Sequence, residues 1–576
     1  MAGAAGGAAP VAGGRPAAGG FAPSRQPSAA ADLDAGCGHA GRRFPTTGQG
    51  ANAIYVCKTP QDVLDAANAA LAQGCRITVR SGGHCYEGFV ANKLPEDHGQ
   101  PLAIIDLSLM TGLRYREAGD IASPWNPAAR YRFAAAAGNQ NWDGYLDLYK
   151  TANRTLPGGS CYSVGSGGHI VGGGYGLLSR LHGLTVDWLS GVDILVPQGP
   201  GSRKLVPKHV NLHSAGADRD LFIACRGGGG GNFGIILTYY YAELPVAPQE
   251  AYWLSLSYPW ASFGTGTAGR ANFARFMRAY WQWFADHDAD WNSPDPAKAN
   301  GGLFTLLKVQ HRSTGDVVLS IQYTGKDGKV GGARDQPFLD FVATMNAAAG
   351  AAPGVNLATS WHGPSHRMAE PAPRLLAHAV NDAQKMDWLW LTQSINGSGS
   401  NQRGKYKSAY HKANFSDVEI MAMWEYLNGS DDPRLNQALV QIDSYGGRIN
   451  RNDEAANPTS VCQRSSLLKS QFQVYWTDPA QDAFHIKWIA DLYDEYFAQY
   501  GGKPSNQPGS PFEGCYINYP DTDMKYTDAS HTQVDPQWLD LYYGNKTAAL
   551  IATKRNVDPD NLFHHEMSIP LVAPQA

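Results

Sequence analysis

The stretch TVRSGGHCYEGF, residues 78–89, decides how the first half of the chain folds. Thr78, Val79 and Arg80 read as the end of a strand, and Ser81, Gly82 and Gly83 as a tight turn, because glycine adopts backbone angles that other residues avoid. His84 is thereby presented by a loop, against a backbone with no side chains in the way. A surface loop with an incidental histidine has the same local sequence, so the surrounding chain has to decide.

Upstream, Thr59 suits a helix cap and Pro60 the first helical position, and Val63, Leu64, Ala67 and Leu71 form one apolar stripe that ends at Gly74. With a strand over residues 53–57, this makes a β-α-β unit whose last strand delivers the His84 loop at its carboxyl end. Further strands are expected over 103–107, 131–137, 192–197 and 235–241. Beyond about Leu244 longer amphipathic helices alternate with strands. The stripe Phe273, Phe276, Met277, Tyr280 and Trp281 reads as core, and another helix, over 484–497, is closed by Gly501 and Gly502.

The chain has 576 residues, 43% hydrophobic and 17% charged, enough to bury a large core in two or more domains. A net charge of -4 supplies no basic field for nucleic acid or an anionic membrane, and no apolar run is long enough to cross a bilayer. Residues 1–44, rich in Ala, Gly and Pro, read as a flexible extension. They lack the apolar block of a signal peptide, which favours a soluble cytoplasmic protein. The eight cysteines form no CxxC pair, so neither a zinc site nor a disulfide framework is expected.

Two more glycine-rich stretches share the first half with His84: LPGGSCYSVGSGGHIVGGGYGLLSRLHGL at 156–184 and RGGGGGNFG at 226–234. Such density lets backbone N–H groups converge on a pyrophosphate without paired cations. Neither stretch fits GxGxxG at a strand-to-helix turn, which excludes a Rossmann reading. Cys161 places a second nucleophile in a second glycine loop, and thiolate and imidazole both attack an electron-poor ring such as a flavin.

Five stretches in order, RSGGH at 80–84, GGSCYSVGSGGHIVGGGYG at 158–176, RGGGGGNFGI at 226–235, YINYPDTD at 516–523 and DPDNLFHHEMSIP at 558–570, resemble the berberine-bridge-enzyme-like oxidases of the vanillyl-alcohol-oxidase superfamily. The likeness runs from about residue 45 to the C-terminus. It implies FAD held by two covalent links, from His84 to the flavin 8α-methyl and from Cys161 to ring carbon C6. Around the cofactor it implies Arg80, Ser81, Gly82 and Gly83 from the first stretch, and Gly158, Gly165, Gly168, His169, Gly173, Gly174 and Gly176 from the second. Asn232, Gly234 and Ile235 follow from the third, and Asn518 from the fourth. Many relatives have Pro-Thr where this chain has Tyr162-Ser163.

The same resemblance makes Tyr519 the catalytic base, with Tyr516 its neighbouring alternative. LKSQFQVYW places Lys469 and Gln471 near it, and QIDSYGG offers Asp443 or Tyr445 as the assisting group. A free tyrosine titrates near pH 10, so the base needs activation. SLLK at 466–469 matches an acyl-serine pattern without its companion boxes, and adjacent His564 and His565 make no convincing metal pair, so no metal is expected.

The expected fold is therefore α+β in two domains: an FAD-binding domain over 45–246 with a C-terminal return over 523–576, and a substrate domain of antiparallel sheet flanked by helices over 247–522. The expected reaction is oxidation of a hydroxyl-bearing carbon in a sugar lactol or glycosylated natural product, with oxygen as acceptor and hydrogen peroxide as product. Oxidative C–C or C–N bond formation, a dehydrogenase with another acceptor, and a non-catalytic flavin- or carbohydrate-binding protein are the alternatives.

Overall fold

The computed structural model describes residues 24–27, 50–350, 354–355, 383–395, 402–528 and 530–574. The β-α-β unit forms around the helix Pro60–Ala72. Thr59 Oγ1 accepts the Asp62 N–H at 3.1 Å, while Asp62 returns a carboxylate oxygen to the Thr59 N–H at 3.0 Å, closing the capping box that starts the helix. Strands Ala53–Val56 and Arg76–Arg80 both run parallel to Leu102–Asp106, which lies between them. The expected extension over 1–44 lies outside the described residues except Ser24–Pro27, an extended segment on the exposed edge of Ala53–Val56, where unpaired backbone groups favour a further strand.

A second, antiparallel sheet has the order Leu205–Asn211, Gly191–Pro197, Ile235–Tyr241, Phe133–Ala136, Leu113–Tyr115. Asn68, on the Pro60–Ala72 helix, exchanges hydrogen bonds of 3.2 and 2.7 Å with Leu205 and so ties the first sheet to the second. The C-terminal helix Thr547–Val557 returns here: buried Lys554 donates to the Asn232 carbonyl at 2.8 Å and pairs with Asp558 at 2.7 Å.

The third sheet is eight-stranded and antiparallel, centred on Asp316–Tyr323, Leu303–Gln310, Leu439–Ser444, Leu468–Trp476 and Arg403–His411. Helix Gly266–His287 covers one face, with the Tyr280 hydroxyl reaching the Ile442 carbonyl at 2.9 Å. Phe273, Phe276, Met277 and Tyr280 are buried as the spacing predicts, but Trp281 is half-buried: steps of three and four continue to Trp283 and Phe284, which complete the stripe. The opposite face of this sheet looks toward the glycine loops of the first two. The architecture is the expected two-part α+β fold, and among the described residues no helix is long and apolar enough to cross a membrane.

Candidate active site

A cavity of about 410 Å³ lies between the third sheet and the glycine loops. His84 and Cys161 both line it, and Ser163 links the two loops with a hydroxyl 2.9 Å from His84 Nε2. Their approach depends on missing side chains. A Cβ on Gly82 would stand 2.2 Å from the Gly165 nitrogen, and one on Gly165 would stand 2.2 Å from the Gly82 nitrogen. Ser81 fastens the same junction, donating to the Ala137 carbonyl at 2.8 Å and accepting from the Gly167 N–H at 3.3 Å. Arg80 lines the cavity with its charge matched by Asp106 at 2.5 Å.

Gly83, Gly168, His169, Gly176, Asn232, Gly234, Ile235 and Asn518 also line the cavity, whereas Gly158, Gly173 and Gly174 do not. The last three shape the loop from behind. A Cβ on Gly176 would fall 1.7 Å from the Gly158 oxygen, and the Gly173 and Gly174 carbonyls accept the Val186 and Thr185 N–H groups. Burial lowers the His169 pKa to about 4, keeping the ring neutral so that Nε2 accepts the Gly159 N–H at 3.1 Å. Asn518 donates to the His169 carbonyl at 2.9 Å and to the Tyr516 hydroxyl at 3.0 Å.

On the facing wall stand Tyr519 and Asp443, and behind them, buried and not lining the cavity, Lys469 Nζ lies 3.3 Å from the Tyr519 hydroxyl and 3.2 Å from an Asp443 oxygen. Antiparallel pairing sets Asp443 directly opposite Lys469 and Gln441 opposite Gln471. Asp443 accepts from Gln471 at 2.7 Å and Gln441 at 2.9 Å, and Gln471 accepts in turn from Gln473 at 2.8 Å. Burial lowers the Lys469 pKa to about 8, partly opposed by Asp443. Burial, reinforced by Asp443 and neighbouring aromatic hydroxyls, holds Tyr519 well above its ordinary value, and burial pushes Tyr516 up to about 12. Both phenols are therefore neutral in the resting site.

Tyr445 is not brought to the cavity. Its strand ends at Ser444, Gly446 turns the chain at φ +77°, and the Tyr445 hydroxyl donates to the Gln463 carbonyl at 3.0 Å inside the core. Conversely, Gln441, Gln473, Tyr475, Tyr406 and Lys308 line the cavity without having been singled out. Gln473 and Tyr475 continue the two-residue period from Lys469 and Gln471, a signal available in KSQFQVY.

A buried ion cluster locks the two halves of the site together. Lys405 pairs with Glu87 at 2.7 Å and Asp521 at 2.8 Å, and Lys407 with Asp521 at 2.8 Å and Asp523 at 2.7 Å. Glu87 follows His84 on its loop, and Asp521 follows Tyr519 on the other. Burial opposes the Lys405 charge, but the Asp521, Glu87 and Asp523 carboxylates outweigh it and hold its pKa well above the ordinary value. Of the two adjacent histidines, His564 faces Asp97 at 3.4 Å and His565 reaches the Gly230 carbonyl at 3.1 Å. They point to different partners, and among the described residues no cluster of His, Cys, Asp and Glu is arranged to hold a metal ion.

Comparison with known proteins gives this geometry a relationship. A family described as "FAD binding domain" matches residues 51–200, and one described as "Berberine and berberine like" matches residues 515–570. Hexose oxidase of Chondrus crispus is 34% identical over 92% of this chain and 93% of its own length. Aclacinomycin-N/aclacinomycin-A oxidase of Streptomyces galilaeus is 32% identical over 90% of this chain and 84% of its own. The crystal structure of GilR, an oxidoreductase of gilvocarcin biosynthesis, superposes with a TM-score of 0.76 at 28% identity, covering 93% of this chain and 98% of that one.

The residues present fit FAD. Backbone from the loops around Gly82, Gly168 and Gly230 borders one cavity, and a Cβ on Gly168 would meet nothing within 4 Å, so the space beside it is open to a flat ligand. Matched at both ends of that cavity and alike over nearly its whole length to named oxidases, the chain is an enzyme of the berberine-bridge-enzyme-like FAD-linked oxidoreductase family, with the vanillyl-alcohol-oxidase type of fold.

Proposed function

We propose that this enzyme is an oxidase acting on a hydroxyl-bearing carbon, with sugar lactols and glycosylated natural products as its substrate class. His84 and Cys161 would hold FAD through the 8α-methyl and ring carbon C6, respectively. When bound, FAD would supply the acceptor for the hydride of the substrate carbon, with dioxygen as final acceptor of both electrons and hydrogen peroxide as product.

The carrying observation is Lys469, buried behind the cavity wall between the Tyr519 hydroxyl and Asp443, which both line the cavity that His84 and Cys161 line. Loss of hydride from a carbinol carbon leaves a carbonyl only if the hydroxyl proton departs with it. Tyr519 is half-buried and neutral, so it takes that proton by passing its own to Lys469, whose lowered pKa of about 8 leaves a neutral amine within reach. Asp443 holds the lysine in place and carries the charge opposite the ammonium that results. Gln441, Gln471, Gln473 and Tyr475 supply amide and hydroxyl groups suited to a polyhydroxylated ring.

The test is anaerobic mixing of the purified holoenzyme with a panel of hexoses, oligosaccharides and glycosylated aromatics, followed by admission of oxygen. The reading expects bleaching of the flavin absorbance by at least one sugar and one hydrogen peroxide per reoxidation. Bleaching without peroxide transfers the enzyme to the dehydrogenases, and no bleaching by any member rejects the reading.

A further inference from the structure

Lys308 is a half-buried cation on the cavity wall that the reaction above does not use. It lies on the strand Leu303–Gln310, directly opposite Gln441, one same-face position beyond Leu306, which faces Asp443. Same-face positions on a strand are spaced by roughly 7 Å. Lys308 therefore lies one same-face step along the sheet from the position paired with Asp443, on the same cavity wall.

The charges around it are already matched. Asp443, the one carboxylate among the described residues lining the cavity, is taken by Lys469, Gln471 and Gln441. Arg80 has Asp106. Among the described residues, none gives the Lys308 ammonium a hydrogen bond or ion pair. Burial lowers its pKa, and Asp443 and Cys161 only partly oppose this. A partly desolvated ammonium with no hydrogen bond or ion pair of its own gains from a ligand that supplies an anion.

We propose that Lys308 recognises an anionic substituent on the substrate, so that the enzyme's preferred substrates are acidic sugars whose ring carries a carboxylate, sulfate or phosphate. The proposal rests on the oxidase reading for the position of the ring and adds its charge. Lysine suits this task as a point charge that meets all three anions without demanding a planar partner.

The experiment measures binding apart from turnover. Methyl glycosides block oxidation at the anomeric carbon, and exclusion of oxygen limits reaction at any other hydroxyl to one flavin reduction, read as bleaching, so the methyl glycosides of glucose, glucuronate, and the sulfate and phosphate esters of glucose are titrated anaerobically into the holoenzyme by calorimetry. Wild type is expected to bind at least one anionic glycoside about tenfold or more tighter than methyl glucoside. Lys308→Gln is expected to bring that ratio to about one and Lys308→Arg to retain most of it, and comparison among the three anions identifies which group is read. Equal affinities in wild type, no measurable binding of any glycoside, or a preference that survives Lys308→Gln overturns the proposal. So does a Lys308→Gln variant that shifts the flavin reduction potential while leaving the ratio intact, for that lysine serves the cofactor. A lysine-dependent preference with no flavin bleaching by any sugar supports the recognition and rejects the oxidase reading. Bleaching by glucose with a wild-type ratio of one does the reverse.

Discussion

Lys469 Nζ and the Tyr519 hydroxyl oxygen lie 3.3 Å apart, joined by a hydrogen bond. Loss of a proton from the pair gives the same titration state whether neutral lysine or tyrosinate is written, so its apparent pKa belongs to both groups. Burial places the lysine near 8. Since the proton-accepting form is the deprotonated one, the rate of anaerobic flavin reduction should rise about tenfold per pH unit below 8 and level off above it. Lys469→Met should remove this rise and slow reduction at neutral pH by roughly 100-fold or more. A rate that falls through pH 8 contradicts the assignment.

Tyr519→Phe removes the proposed proton acceptor and little volume. The variant should retain flavin and substrate affinity while anaerobic reduction slows by about 10²–10⁴-fold. Stopped-flow traces checked against the amount of bound flavin separate this from loss of cofactor, and unchanged reduction removes Tyr519 from the mechanism.

Lys405 joins the loop bearing His84, through Glu87, to the loop bearing Tyr519, through Asp521. Three carboxylates face two ammonium groups there, all buried except Asp523, which is partly exposed. Lys405→Met strips Glu87 and Asp521 of a shared counterion and should cost about 3–5 kcal/mol in denaturant unfolding, the range for breaking a buried pair. Conserved charge in Lys405→Arg should not restore it fully, because a planar guanidinium presents its donors in a fixed fork where the Lys405 ammonium meets Glu87, Asp521 and Asp523.

The junction of the Gly82 and Gly165 loops leaves no space for a methyl group. Gly82→Ala should therefore separate the two loops that carry His84 and Cys161, and the purified variant should hold far less flavin per chain than wild type by its ratio of visible to ultraviolet absorbance. Full occupancy in Gly82→Ala contradicts the claim that this contact assembles the site.

Much of the fold was legible because its signals are local. Thr59, Pro60 and the Val63–Leu71 stripe announce a helix of 13 residues, and the glycines announce turns. The site was legible where residues are adjacent in sequence, as in Arg80 to His84, and less so where chemistry depends on pairing. Gln441 and Lys308 meet only because Leu303–Gln310 and Leu439–Ser444 pair in one register, which no single segment encodes. Tyr445 shows the opposite failure. The period that places Gln441 and Asp443 on the cavity wall extends to Tyr445 on paper, but the strand ends one residue earlier and the hydroxyl goes to Gln463. The buried Lys405 and Lys407 escaped notice because alternating lysines in KYK read as a solvated face until Glu87, Asp521 and Asp523 arrive from distant segments.

Intact mass and visible absorbance of the acid-denatured protein test the central claim most directly, with wild type beside His84→Ala, Cys161→Ala and the double variant. The account predicts one FAD mass retained by the wild-type chain, retained through the remaining link in each single variant with an altered spectrum, and lost from the double variant on denaturation. Flavin that washes away from the denatured wild-type chain, or that survives denaturation in the double variant, contradicts it.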